Sequence, residues 1–229
     1  MYQKPLLIAN WKSQKTAESA LMWLRSVTPA PEGLDLVVAP GFTLLGSIGE
    51  QLPAGWQLGA QDVSQFPLGA YTGAVAADQL ADMGVTYCIV GHSERRHLFH
   101  ETSQEVLNKV EQLLASQIRP VVCVDQPYWE EQLSLLGGAG ISSAAIDIAY
   151  EPLAAIGTGA AADPTEIAQF LHRLQTEWPE SRVIYGGSVS ADNVGEFLLI
   201  SQGVLVATAS VEADSMNNII VQAAHSARQ

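Results

Sequence analysis

The sequence predicts an α/β fold, a single closed parallel (β/α)8 barrel with outer helices over residues 1–229. Three observations point there. Short runs of β-forming residues alternate with stretches of helical period, and the alternation repeats eight times. The runs are apolar at consecutive positions, as in a parallel strand covered on both faces. The 229 residues show no composition break or linker, and eight such units can close into a barrel at this length. An open doubly wound sheet is the competing arrangement.

The elements follow in order. LLIA at 6–9 reads as the first strand and ends in Asn10-Trp11-Lys12. Thr16 to Val27 has helical period, with Leu21, Leu24 and Val27 on one face. LVVA at 36–39 is the second strand, stopped by Pro40-Gly41, and a short helical piece runs from Thr43 to Glu50. WQLGAQ at 56–61 is the third strand, followed by the long turn-rich loop DVSQFPLGAYTG. Ala76 to Met83 is a helix, with Gly84 as its stop. YCIV at 87–90 is the fourth strand. Thr102 and Glu105 form a capping box ahead of Val106, Leu107, Val110, Leu113 and Leu114.

PVVCV at 120–124 is the fifth strand. The helix after it, Tyr128 to Leu136, reads as truncated and ends at Gly137-Gly138. AIDIA at 145–149 is the sixth strand. Asp163-Pro164-Thr165-Glu166 supplies an N-cap, a proline at the first helical position and an acid two residues further. RVIY at 182–185 is the seventh strand, and Ser190 caps a helix through Val194, Phe197 and Leu198. VLVA at 204–207 is the eighth strand, and Ser215 to Ala227 forms the last helix.

Composition narrows the partners. Eleven Lys and Arg against 24 Asp and Glu give a net charge of −13, which disfavours nucleic acid and anionic membrane surfaces as partners. Apolar residues at 48% can fill a large core. The two cysteines, Cys88 and Cys123, make no disulfide framework. No apolar run reaches the length of a membrane span, and the N-terminus is too broken by Lys4, Pro5 and Asn10 for a signal peptide. A cytosolic protein is expected.

In a closed βα barrel, reactive groups sit just past the C-terminal ends of the strands. There the chain carries Lys12 after the first strand, His92 after the fourth and Glu151 after the sixth. A cation, an imidazole and a carboxylate at one mouth are the parts for moving a proton next to a carbonyl.

The segments Asn10-Trp11-Lys12, Ala70-Tyr71-Thr72-Gly73, Gly91-His92-Ser93-Glu94-Arg95-Arg96, Tyr150-Glu151-Pro152, Ala155-Ile156-Gly157-Thr158-Gly159 and Tyr185-Gly186-Gly187-Ser188-Val189 together resemble the triosephosphate isomerase family, the family of the TIM barrel. The resemblance covers nearly the whole chain in order. It implies cofactor-free interconversion of dihydroxyacetone phosphate and glyceraldehyde 3-phosphate, with no metal. It implies Glu151 as the base and His92 as the neutral donor to the substrate oxygen. Lys12 would hold the anion, Asn10 would orient the substrate oxygen, Glu94 would fix Lys12, and Ser93 would hold Glu151 before closure. Phosphate would rest on backbone N–H groups at Gly157, Ser188, Ala207 and Thr208. Pro152, Ala154, Ile156, Gly157, Thr158 and Gly159 would belong to a lid. Thr72 would tip a loop that enters a second subunit, giving a homodimer or a higher assembly of dimers. Arg95 and Arg96 read as structural ion pairs.

Other readings compete. Cys88, His92, His97 and His100 invite a metal cluster, but their spacing fits no common zinc pattern. Gly157 to Ala162 fits G-x-G-x-x-A, yet it does not directly follow a strand and lies in the sixth unit, not the first. Ala154 stands where the family usually has Trp, Ala207-Thr208 where it has Gly-Gly, Asp62 where it has Asn and Ala74 where it has Glu. These departures leave a catalytically impaired barrel that binds a phosphorylated ligand or a protein partner as the alternative. A Schiff-base aldolase is disfavoured, because the sixth strand ends in Glu151 and not in a lysine.

Overall fold

The computed structural model describes residues 4–152 and 164–227. Eight parallel strands close on themselves in sequence order. They are β1 (Leu6–Asn10), β2 (Asp35–Ala39), β3 (Trp56–Ala60), β4 (Val85–Val90), β5 (Arg119–Val124), β6 (Asp147–Tyr150), β7 (Val183–Tyr185) and β8 (Gly203–Val206). Closure is made by β8 against β1, with Leu6 beside Gly203 and Ala9 beside Val206. A Cβ at Gly203 would stand 2.1 Å from the Leu6 carbonyl oxygen, so the seam needs a residue without a side chain there.

Strand alternation divides the core in two. Leu6, Ile8, Val37, Ala39, Tyr87, Ile89, Val121, Cys123, Ala149, Ile184 and Leu205 fill the lumen. The intervening residues, Leu7, Val38, Val90, Val122, Val124 and Ile148 among them, pack outward under the helices. These helices are α1 (Ala17–Ser26), α2 (Leu45–Gly49), α3 (Ala77–Asp82), α4 (Ser93–Leu98), α5 (Ser103–Ala115), α6 (Trp129–Gly138), α7 (Pro164–Glu177), α8 (Val194–Ile200) and α9 (Ala213–Ser226). Trp23 on α1 meets Trp11 and Trp56 edge-on at 4.8 and 5.3 Å, which seats the helix over β1 to β3.

The local signals act as expected at several ends. Thr102 and Glu105 form the capping box of α5, with bonds of 3.2 and 2.8 Å in the two directions. Gly84 follows α3 with φ at 78°. Other ends differ. Strand β4 begins two residues earlier than its apolar run, at Val85, because Val85 already pairs with Leu58 of β3; the exposed Thr86 hydroxyl also donates to the Leu58 carbonyl. Helix α6 does end with the glycine pair, Gly137 and Gly138 being its last residues, and Gly140, at φ 78°, follows the helix. At 10 residues α6 is shorter than α5 with 13 and α7 with 14. Asn193, not Ser190, is the N-cap of α8; its side chain accepts the Ser190 N–H at 2.8 Å. The proposed cap Asp163 lies outside the described residues.

The floor of the barrel is polar. Asp147, fully buried, binds both Arg119 and Arg182, and Arg182 also reaches the Tyr87 hydroxyl at 2.7 Å and Asp35 at 2.9 Å. These groups lie at the strand N-termini, away from the mouth where Lys12, His92 and Glu151 gather.

Candidate active site

Continuing the lumen alternation past the strand ends explains most of the residues that face the mouth; His92 departs from it, after the positive-φ turn at Gly91. Leu6 and Ile8 lead to Asn10, Ala149 leads to Glu151, Ile184 to Gly186 and Leu205 to Ala207. Asn10, Lys12, His92, Glu151, Gly186, Gly187, Ser188, Val189, Ala207 and Thr208 line one cavity of about 310 Å3. Sites from five strands thus converge on a space fit for a small molecule.

Lys12 sits in a tight turn with φ at 50°. Asn10 Oδ1 accepts its N–H at 3.1 Å, and Gln61 Nε2 donates to its carbonyl at 2.8 Å. The turn is therefore held on both sides against its backbone strain. Lys12 Nζ lies 2.6 Å from Glu94 Oε1, which fixes the ammonium at the rim.

His92 is the N-cap of α4. Its Nδ1 accepts the Glu94 N–H at 3.2 Å, and its Nε2 lies 3.0 Å from Glu151 Oε1. An acceptor at Nδ1 leaves the hydrogen on Nε2, so the ring in this geometry is a neutral donor. Burial works against the charged ring, but the Glu151 carboxylate lifts its affinity for protons above the ordinary histidine value. That lift lasts only while Glu151 stays beside it.

Glu151 is 2% exposed. Its second oxygen, Oε2, accepts the Ser93 backbone N–H at 3.0 Å. Burial pushes its carboxyl up, yet His92 and the Ser93 N–H together hold it below the ordinary range. A Cβ on Gly186 would stand 2.9 Å from Glu151 Cγ, so the bare backbone of Gly186 makes room for this carboxylate. Ala207 keeps φ at −94°, and Thr208 opens a single 3-10 turn, so both can turn N–H groups to the cavity without glycine.

The family profile described as triosephosphate isomerase matches residues 5–223. The chain belongs to the triosephosphate isomerase family. It is 34% identical to the triosephosphate isomerase of Endomicrobium trichonymphae over 245 residues, covering 95% of this chain and 98% of that one. It is 34% identical to that of Aquifex aeolicus strain VF5, over 94% of this chain and 98% of the relative. With that of Coxiella burnetii strain Dugway 5J108-111 the identity is 37%, over 96% and 97%.

Within the triosephosphate isomerase resemblance, Glu94 lies beside the cavity on the Lys12 side, and Pro152 is buried directly after Glu151. Ala154, Ile156, Gly157, Thr158 and Gly159, and with them the G-x-G-x-x-A stretch, lie outside the described residues. Thr72 is exposed on the loop between β3 and α3. Arg95 does form ion pairs, with Asp62 at 3.0 Å and Glu101 at 3.1 Å. Arg96 does not; among the described residues it binds the Gly91 carbonyl at 2.9 Å and Gln132 at 2.8 Å, since α4 turns it inward under Gly91. Cys88 packs outside the barrel beneath the helices and takes no part in the site. Sequence reasoning did not single out Gln61 or the role of Gly186. A glutamine straight after the third strand was the available signal for the first.

No helix among the described residues is long and apolar enough to cross a membrane.

Proposed function

We propose that this chain, folded as one barrel domain over residues 1–229, interconverts dihydroxyacetone phosphate and D-glyceraldehyde 3-phosphate without a cofactor, in the cytoplasm, as a step of glycolysis and gluconeogenesis. The carrying observation is that Lys12, His92 and Glu151, from the ends of three strands, line one small cavity with the backbone of 186–189 and 207–208.

Glu151 takes the proton from the carbon beside the carbonyl and returns it to the neighbouring carbon. For this its carboxylate leaves Ser93 and His92 and turns into the cavity. Leaving them removes two contacts that lower its basicity, so the base strengthens as it moves. His92 Nε2–H donates to the oxygen that gains charge in the enediolate, and as a neutral donor it can exchange a proton between the two oxygens. Lys12 neutralises the same charge, and Asn10 orients the substrate oxygen. The phosphate rests on N–H groups at Ser188, Ala207 and Thr208, joined by Gly157 of a lid formed by Pro152, Ala154, Ile156, Gly157, Thr158 and Gly159. Short-range contacts decide this binding, because the net charge of −13 is screened beyond about 8 Å at physiological salt.

The protein acts as a homodimer, or as a higher assembly of dimers. Phe66 stacks on Tyr71 at 4.5 Å and stiffens the loop that carries Thr72, while Leu68 stands 63% exposed at its crest. A second cavity, of about 570 Å3 and lined by Phe42, Leu98 and Phe99 beside Lys12 and His92, is of a kind to receive such a loop.

Calorimetric titration with 2-phosphoglycolate, which mimics the enediolate, tests the site. Binding in the micromolar range or tighter is expected for the wild type, and a loss of roughly a hundredfold for Lys12→Met. Equal binding by the two proteins would remove Lys12 from the site.

A further inference from the structure

One strand over from Glu151 stands a second buried carboxylate, Asp125. Val124 pairs with Tyr150 across β5 and β6, and the Glu151 N–H donates to the Val124 carbonyl at 2.9 Å. Asp125 and Glu151 are therefore the next residues out along two neighbouring strands. Cys123 and Ala149 both face the lumen, so one more step of alternation assigns both residues to the lumen side, with Glu151 the one that lines the cavity. Asp125 is 3% exposed, and its carboxylate oxygens meet no side-chain hydrogen-bond donor among the described residues; only the nearby Tyr128 backbone N–H favours its ionised form by hydrogen bonding.

Burial pushes the Asp125 carboxyl above its ordinary value, and the groups around it pull in both directions. Arg96 from α4 is buried and makes no ion pair among the described residues; its field nonetheless favours ionised Asp125, against burial. His97, also on α4, acts in the same direction. Glu151, after β6, opposes it. Tyr150 on β6 feels the Asp125 charge in turn, and Cys123 on β5 faces Glu151. The Tyr128 N–H, at the start of α6, bonds to the Asp125 main-chain carbonyl at 3.1 Å and closes the turn that holds the side chain in place.

We propose that Asp125 is a positioning residue for the base, a like charge set one strand away from Glu151 that opposes the ionisation of Glu151 and so keeps it basic. The inference rests on the reading of Glu151 as the base. Its logic is reciprocal: whatever Glu151 does to the ionisation of Asp125, Asp125 does to Glu151. His92 and Ser93 weaken the parked base, and Asp125 works against them from the neighbouring strand. It stays behind when Glu151 turns to the substrate, so its effect persists when theirs is gone.

The test is a carbon-13 NMR titration of the Glu151 side-chain carboxyl, assigned by its absence in Glu151→Gln, together with the pH profile of kcat. Asp125→Asn and Asp125→Gly remove the charge, and Asp125→Glu keeps it; circular dichroism selects the folded variants. Both neutral variants should lower the Glu151 midpoint by about half a pH unit or more. The acid limb of kcat should move down with it, the plateau should fall roughly threefold, and KM should change less than about twofold. Asp125→Glu should restore the wild-type midpoint. An unmoved Glu151 midpoint in a folded neutral variant overturns the proposal, and either neutral variant suffices if the other does not fold. The titration needs no turnover, so an inactive wild type would count against Glu151 as base while the coupling is still measured. A midpoint that moves without moving the kcat limb would likewise sink the base assignment and leave the coupling standing.

Discussion

His92 Nε2 and Glu151 Oε1 stand 3.0 Å apart, and each sets the proton affinity of the other. Under the proposed function the pair is a parked base and its future partner: the same Nε2–H that now faces Glu151 is the donor a substrate oxygen would meet once the carboxylate has turned away.

His92→Gln keeps an N–H near the Nε2 position but cannot shuttle a proton between two oxygens. Expected is a fall in kcat of roughly a hundredfold or more, with KM changed far less. Steady-state kinetics in both reaction directions checks it. A kcat within a fewfold of wild type would take His92 out of the chemistry.

Arg182→Met leaves buried Asp147 with Arg119 alone and strips the Tyr87 hydroxyl of its donor. Loss of one partner from a buried charge network costs about 3 kcal/mol. Urea unfolding should show that loss. The folded fraction should retain wild-type kcat, because this cluster lies at the floor and the cavity at the mouth. A kcat that fell with stability would mean that floor and mouth are coupled.

Asp62 bonds to Lys109 at 2.6 Å and Arg95 at 3.0 Å at the base of the exposed loop. Burial outweighs Lys109 and Arg95 and pushes its carboxyl above the ordinary value of 3.8, with Glu101 adding to the push. The sign follows from linkage: a raised folded value means that the ionised form costs stability at neutral pH, and the cost fades as pH falls through the folded value. Asp62→Asn should therefore melt higher than wild type at neutral pH, with the gap closing on acidification toward 3.8. Thermal melts across that range check it, and a gap that widened toward acid would reverse the sign.

Much of the barrel could be read from consecutive apolar residues, because a strand buried on both faces leaves that mark wherever it occurs. The mark blurs where Thr86 interrupts β4 and where Ser190 and Asn193 compete for one cap. The Lys12, His92 and Glu151 set was legible because each closes a strand with a residue that can do chemistry. Arg96 misled: beside Arg95 in sequence it suggests a shared ion-pair role, yet successive helical residues point about 100° apart, so one met carboxylates and the other a carbonyl and an amide. Asp125 was passed over because an aspartate after a strand reads as a turn. Its parity with Cys123 was the signal that could have found it.

The most direct measurement is turnover of D-glyceraldehyde 3-phosphate by the purified chain in a coupled assay, run beside Glu151→Asp, which draws the carboxylate back by one methylene. Robust turnover by the wild type is expected, with kcat lowered roughly a hundredfold or more in the variant at nearly unchanged KM. A folded wild type with no turnover above background, or a variant as fast as the wild type, would contradict it.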